Sequence, residues 1–376
     1  MSIYLFLFIF THKMMMQRII LHLDLDYFFA QVEEKRNPNY KDKPIVVCIY
    51  SGRSEDSGAV STSNYKARKY GVKAGLPIAF AKKRLEGVES LFIAADHDHY
   101  KQLSEQIMSV LQSFADVLEQ ASIDEAYLDI TKKIHGDWNK AKELAEQMST
   151  QIYSIFDLTC SIGVGPNKLI AKMASSFKKP NGVTIVKPEQ VHDFIDNQPV
   201  ENIPGVGKKT AELLEQHDVV KISDLNHKSP VWLIEEFGKG TGQFLINSSE
   251  GKDDSPVSPK EEVKQLSRIK TLKSNTLSLE EIQKESQDLI DDLSQKIQED
   301  GLNFSTIGII AIDENLKTST RSKTLSHPAN DKEILVKTVN ALWEEFLEKQ
   351  TSEIRRIGVK IEKLQLMNGQ RNLMEL

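Results

Sequence analysis

The chain is expected to adopt an α+β fold, and three observations carry that expectation. Two strand-like runs ending in acids, Arg18–Asp26 and Val117–Ile130, are interleaved with segments of helical periodicity. A helical stretch of different character, rich in glycine turns, runs from about 188 to 250. Beyond a polar linker, a last segment alternates strands and helices and sorts its charge by element.

Taken in order, the chain opens on an apolar run, Ile3–Phe10, too short to span a bilayer and lacking both a basic leader and a small-residue cleavage site. Met14, Met15 and Met16 follow directly, so residues 1–15 are expected to be a non-native or disordered leader, with translation starting at one of these methionines. In Arg18–Asp26, Ile19, Leu21, Leu23 and Leu25 share one strand face and read as core. Ile20, His22, Asp24 and Asp26 share the other, which sets two carboxylates two residues apart at the strand end. His22 reads as a residue of the core rim. A helix from Phe28 to Lys35 is closed by Asn37-Pro38, and Pro44–Tyr50 reads as a buried strand. A turn-rich loop leads to a helix over Asn64–Gly71, on which Tyr65 and Arg68 share a face. That pair fits a surface cation–π contact as well as a grip on a polyphosphate.

An amphipathic helix is expected from about His99 to Phe114, then the acidic hairpin, then a helix from about Trp138 to Phe156. Asp124 and Glu125 are adjacent where the hairpin's second strand begins. Two acids there either split between solvent and a turn cap or share a hard divalent cation such as magnesium. Carboxylates from this segment and from Arg18–Asp26 together would suit two metal ions and in-line phosphoryl transfer. Leu158–Val164 is a strand, Gly165-Pro166-Asn167 opens a helix through Phe177, and a basic turn, Lys178–Gly182, precedes a strand over Val183–Val186. The whole reads as a sheet with helices on one face.

Within the helical stretch, Ile203–Ala211 resembles a helix-hairpin-helix module: Gly205 and Gly207 feed a helix start followed by Lys208 and Lys209. Backbone N–H groups at such a start suit a DNA phosphate regardless of base sequence. Phe237–Gly242 is a weaker second copy. In the last segment, strands carrying Lys270 and Lys273, Arg321 and Lys323, and Arg355 and Arg356 contrast with an acidic helix near Leu279–Asp300. A basic sheet face of this kind would track a duplex backbone.

The 376 residues, with a net charge of −6, are enough for two to four domains, and any basic surface must be local. Cys48 and Cys160 lie in apolar strand-like runs and read as buried free thiols of a reducing compartment.

These residues converge on a known family. The chain resembles the Y-family, translesion DNA polymerases, in particular the archaeal DinB-type (DNA polymerase IV) branch. The matching runs are H-L-D-L-D-Y-F-F-A-Q-V-E-E, S-G-R-S-E-D-S-G-A-V-S-T-S-N-Y-K-A-R, A-S-I-D-E-A-Y-L-D-I, S-I-G-V-G-P-N-K, K-K-P-N-G, I-P-G-V-G-K-K-T-A and I-R-R-I-G-V, in family order from about Arg18 to Lys363. The resemblance implies a right-hand polymerase: a ferredoxin-like palm over 16–27 and 94–187, small fingers over 28–93, and a helix-hairpin-helix thumb over 188–250. A linker over 251–262, an α/β little finger over 263–364 and a tail over 365–376 complete it. It implies Asp24, Asp124 and Glu125 as catalytic metal ligands, with the Leu25 carbonyl, for two Mg2+ ions that Mn2+ could replace. Phe29 is the implied steric gate against a ribose 2′-hydroxyl. Thr62, Tyr65, Arg68 and Lys179 are the implied contacts to the incoming dNTP. Asp26 gains no ligand role. The implied activity is low-fidelity, template-directed extension of a primer 3′-OH, tolerant of damage because the fingers are small. No segment reads as a proofreading exonuclease, and the expectation is a cytoplasmic, nucleoid-associated monomer. Gln370, Leu373 and Leu376 keep the spacing of a sliding-clamp peptide, although no aromatic pair follows.

Two other readings compete. A polymerase-like scaffold without catalysis would have lost its acids, and all three are present. A nucleotide cyclase on a similar palm would need neither the helix-hairpin-helix segment nor a basic final domain.

Overall fold

The computed structural model describes residues 17–259 and 263–366. The chain divides into two compact units, Met1–Val47 with Thr62–Lys73 and Val88–Lys260, and Cys48–Ser61 with Ala74–Gly87 and Glu261–Leu376.

Along the chain, β1 (Ile20–Leu25) leads into α1 (Phe28–Arg36), which Asn37 and Pro38 end as expected. Next come β2 (Ile45–Tyr50), β3 (Gly58–Ser63), the short α2 (Tyr65–Arg68), α3 (Ile78–Arg84) and β4 (Leu91–Ala94). Strands β2, β3 and β4 make a small sheet in the order β3-β2-β4. Then follow α4 (His97–Gln112), β5 (Val117–Gln120), β6 (Glu125–Asp129), α5 (Trp138–Phe156), β7 (Cys160–Gly165), α6 (Lys168–Phe177) and β8 (Val183–Ile185).

The larger sheet of this first unit has the order β5-β6-β1-β7-β8, with β1 at its centre, antiparallel to β6 and β7. Its odd face is the core predicted from alternation: Leu21, Leu23 and Leu25 pack with Ile107 of α4 and Met148 and Ile152 of α5. The expectation of helices on one face only is corrected. Helix α6 covers the other face, where Ile20 packs on Ala171 and His22 reaches Ser175. Gly163 of β7 allows this approach, because a Cβ there would lie 2.1 Å from the Ala171 carbonyl oxygen and 2.2 Å from the Ser175 nitrogen.

The helical stretch holds α7 (Val191–Ile195), α8 (Lys208–Gln216) and α9 (Pro230–Ser249) around a separate core that includes Ile203, Leu214, Leu233 and Leu245. Gly205 has a left-handed φ of 100° and Gly207 is the N-cap of α8, so the predicted glycine hairpin forms. At the weaker second copy, Phe237–Gly242, α9 is two helical pieces joined at a kink, where Gly238 has a left-handed φ of 79°.

The second unit contains the four-stranded sheet β11-β10-β12-β9, built from β9 (Gln265–Thr276), β10 (Leu302–Asp313), β11 (Thr318–Ala329) and β12 (Ile354–Glu362), with β13 (Gln365–Leu366) beside β10. Helices α10 (Leu279–Glu299) and α11 (Lys332–Leu347) bury Trp343, Ile290 and Leu293 against its inner face. Among the described residues no helix is long and apolar enough to cross a membrane.

Candidate active site

Strand pairing assembles the acidic site. Asp24 of β1 is directly opposite Glu125 of β6, and the Leu25 N–H donates to the Asp124 carbonyl at 2.9 Å. Like charges facing each other across strands repel, so this register needs a compensating cation. Two ammonium groups are in place. Lys179 pairs with Asp24, and Lys172 of α6 lies 2.6 Å from Glu125. Asp124 is turned aside, its carboxylate accepting from Ser122 Oγ at 2.6 Å. Among the described residues no three acid, histidine or cysteine side chains converge as a ready-made cation cage. The structure thus brings Asp24 and Glu125 together and holds the Asp124 carboxylate on the Ser122 hydroxyl.

The electrostatics follow from burial. Removal from water pushes the Asp24 carboxyl up to about 7, against the pull of Lys179. Glu125 is held well below the usual carboxylate range by the His22 ring, 3.9 Å away, and by Lys172. His22 is itself pushed down by burial, so the lasting positive charge on Glu125 is the Lys172 ammonium. His22 Nδ1 is 2.8 Å from Ser175 Oγ, which donates to the Lys172 carbonyl. His22 Nε2 lies buried on the side of Glu125, without a hydrogen-bond partner. Hard oxygen donors of unequal proton affinity, already neutralised by ammonium groups, fit a divalent cation of the magnesium type.

Around the acids, Phe29 stacks on Tyr100 with ring centroids 4.3 Å apart. Arg68 has its guanidinium 4.9 Å above the Tyr65 ring and donates to the Ser63 carbonyl, so the cation–π pair is real. The Tyr65 hydroxyl is nonetheless buried without a hydrogen-bond partner. Thr62, near the end of β3, is half-buried. Lys172 was missed in the sequence, although Lys168, Lys172 and Ser175 follow helical spacing along one face of α6.

The basic residues divide by face. Lys208 and Lys209 start α8, with Lys208 highly exposed and 3.5 Å from Glu212. In the last domain, Lys270 pairs with Glu285 and Asp288 of α10, and register places Arg321 and Lys323 beside the buried Ile309 and Ile307. These three project toward the helix-covered face, which corrects their assignment to a shared DNA-facing surface. Arg356 and Lys273 lie on the open face, next in sequence to the buried Ile357 and Leu272. Arg355 keeps its Nε buried and unpartnered at the irregular start of β12. Gln370, Leu373 and Leu376, like the leader, lie outside the described residues.

The chain matches the impB/mucB/samB family over residues 23–176, that family's C-terminal domain over 263–373, and the DNA polymerase-iota thumb domain over 201–253. It is 43% identical over 357 residues to DNA polymerase IV of Nitrosopumilus maritimus, which covers 95% of this chain and 98% of that protein. The chain is a Y-family DNA polymerase of the DinB type. DNA polymerase IV of Methanosarcina acetivorans is 42% identical over 367 residues, 96% of this chain and all of that one. A solved Y-family chimera of Dbh and Dpo4 superposes with a TM-score of 0.87 at 36% identity, covering 93% of this chain and 100% of its own. DinB from Sulfolobus solfataricus superposes at 0.64, with 35% identity and the same coverage. The right-hand architecture with a helix-hairpin-helix thumb and the DNA-directed, translesion class of activity follow, and enzymes of this family depend on metal ions.

Proposed function

We propose that Asp24, Asp124 and Glu125, with the Leu25 carbonyl, hold two Mg2+ ions, and that this polymerase extends a primer on duplex DNA past damaged template bases. The observation that carries the assignment is the Asp24–Glu125 register with an ammonium on each acid. Bound there, the ions would supply Lewis acidity to the primer hydroxyl and neutralise charge on the triphosphate. The chain's own residues do the remainder. Asp124 joins the set by giving up the Ser122 hydroxyl. Lys179 exchanges its carboxylate for a phosphate oxygen. The unpartnered Tyr65 hydroxyl and the Arg68 guanidinium donate to the same triphosphate, beside Thr62. Phe29, held flat by Tyr100, fills the space a ribose 2′-hydroxyl would need.

Residues 16–27 and 94–187 serve as palm, 28–93 as fingers, 188–250 as thumb, 251–262 as linker and 263–364 as little finger. The N-terminus of α8 with Lys208 and Lys209 takes a DNA phosphate, and Lys273, Arg355 and Arg356 follow the duplex backbone. The tail binds a sliding clamp through Gln370, Leu373 and Leu376; a calorimetric titration of the tail peptide that gives no heat removes this. The enzyme works as a monomer on chromosomal DNA in the nucleoid.

Primer extension on undamaged and abasic templates, beside an Asp124→Ala control, tests the reading. Extension on both, absent in the control, supports it. Extension on the undamaged template alone keeps the polymerase and drops bypass of that lesion. DNA binding without extension by either protein moves the reading to a non-catalytic scaffold.

A further inference from the structure

We infer that Asp26, the one acid of the strand end that holds no cation, is the positioning residue for the Lys179 ammonium. This rests on the triphosphate role given to Lys179 above. Asp26 is fully buried, one residue beyond β1. A buried carboxylate without a counter-ion is tolerated only when its lone pairs are well filled. Asp26 meets that condition with neutral donors. One oxygen accepts from Ser161 Oγ at 2.8 Å, and the other from Thr159 Oγ1 at 2.9 Å and the Asn181 N–H at 2.8 Å.

The three donors come from two places. Thr159 and Ser161 flank Cys160, the first residue of β7, and that junction is fixed several times over. The Asp26 N–H donates to the Thr159 carbonyl, and Gln31 of α1 donates to the Asp26 carbonyl at 2.7 Å while accepting from the Thr159 N–H at 2.6 Å. The Asn181 N–H belongs instead to the basic loop Lys178–Gly182. Asn181 has a left-handed φ of 52°, which turns its N–H inward while the residue itself is exposed. Two residues before it stands Lys179, whose ammonium is on Asp24. The far end of the loop is tied down separately, by the Ile162 N–H on the Gly182 carbonyl at 2.8 Å. Asp26 is therefore the side chain that holds Asn181, the residue before Gly182, and two residues of backbone, about 7 Å at full stretch, carry that constraint to Lys179.

The requirement is for acceptors at fixed points, not for negative charge. An asparagine at 26 can turn its oxygen to the Asn181 N–H and its amide nitrogen to Ser161, whose hydroxyl is free to rotate and accept. An alanine leaves the Asn181 N–H without an acceptor, and the loop is then held on this side by the Gly182 carbonyl alone.

A double-mutant cycle on single-nucleotide insertion decides the matter, with Asp26→Ala, Asp26→Asn, Lys179→Met and the Asp26→Ala/Lys179→Met pair in the full-length protein. Lys179→Met should raise the KM for dNTP by about tenfold, the worth of one hydrogen bond to a charged group. Asp26→Ala should match it, Asp26→Asn should rescue most of the loss, and the double variant should be no worse than Lys179→Met alone. Amide exchange at Asn181 should be slow in the parent and in Asp26→Asn, and fast in Asp26→Ala. If Asp26→Ala fails to fold, Asp26→Ser takes its place. Multiplying effects on KM, or Asp26→Asn as damaging as Asp26→Ala, would overturn the inference. An unchanged KM in Lys179→Met would instead sink the role of Lys179, and the inference with it, even where the exchange data still show the anchor.

Discussion

Gly163→Ala tests whether the even face of the palm sheet is closed by helix α6 as described. A Cβ at 163 would sit 2.1 Å from the Ala171 carbonyl oxygen, 2.2 Å from the Ser175 nitrogen and 2.7 Å from the Ala174 carbonyl carbon. Carbon and oxygen pack comfortably at about 3.3 Å, so the helix must retreat by about 1 Å. All three contacts are backbone, and no rotamer change relieves them. Overpacking of this kind costs about 1–3 kcal/mol, and a clash with rigid backbone belongs at the upper end. For a unit of this size that is a fall in melting temperature of about 6–12 °C. Helix α6 also carries Lys172, so the same retreat draws the ammonium off Glu125. The assay is thermal denaturation followed by circular dichroism, beside Gly240→Ala, where a new Cβ meets nothing within 4 Å. The control should be neutral or stabilising by about 0.5–1 kcal/mol, the gain of alanine over glycine in a helix. A Gly163→Ala protein as stable as its parent would refute the close approach of α6 to β7.

Three further outcomes are expected. Phe29→Ala should raise ribonucleotide incorporation at least about tenfold relative to dNTP, measured as a ratio of kcat/KM, because the ring stacked on Tyr100 no longer fills the sugar site. Asp24 titrates near 7 when folded, against about 4 in an unfolded chain, so folding takes up a proton across that window and this group's stabilisation falls as pH rises through it. The Glu125 shift is downward and enters only in strong acid. In chelator, Asp24→Asn should therefore gain stability on its parent between pH 5 and 8 in urea titrations, while with Mg2+ added it should lose extension activity; a gap that is constant with pH would contradict the burial argument. For DNA binding, alanine at Arg356 or Lys273 should each reduce the slope of log affinity against log salt by about 1, while alanine at Lys270, which α10 already neutralises, should leave it unchanged.

The odd face of β1 was legible because Leu21, Leu23 and Leu25 alternate with polar residues, and burial of that face needs no other information. The even face was not. His22 and Asp26 look like an open rim, and what covers them lies some 150 positions later: over His22 a helix, admitted by a glycine that carries no pattern of its own, and over Asp26 the loop that follows it. The acids were found because Asp24, Asp124 and Glu125 are each conspicuous locally, but the lysine partners of Asp24 and Glu125 come from α6 and the loop after it. In the last domain, basic residues were counted by strand and not by parity. Lys270, Arg321 and Lys323 sit on the parity of the core residues, and only register with Ile357, Ile309 and Ile307 reveals it. Strands β3 and β4 escaped notice because G-A-V-S-T-S and L-F-I-A are too short to establish a period.

The two thiols have a practical consequence. Cys48 and Cys160 are both buried and neither is in a disulfide, and burial pushes them up to about 11 and about 12. Neither presents a thiolate at neutral pH, so maleimide reagents should pass the native protein by. A single cysteine introduced at an exposed position, on the little finger or on the thumb, would then be the one reactive handle on the chain. Fluorophores for watching these parts move on DNA could be attached without first stripping out native residues from β2 and β7, where each thiol is packed among strands that build the molecule.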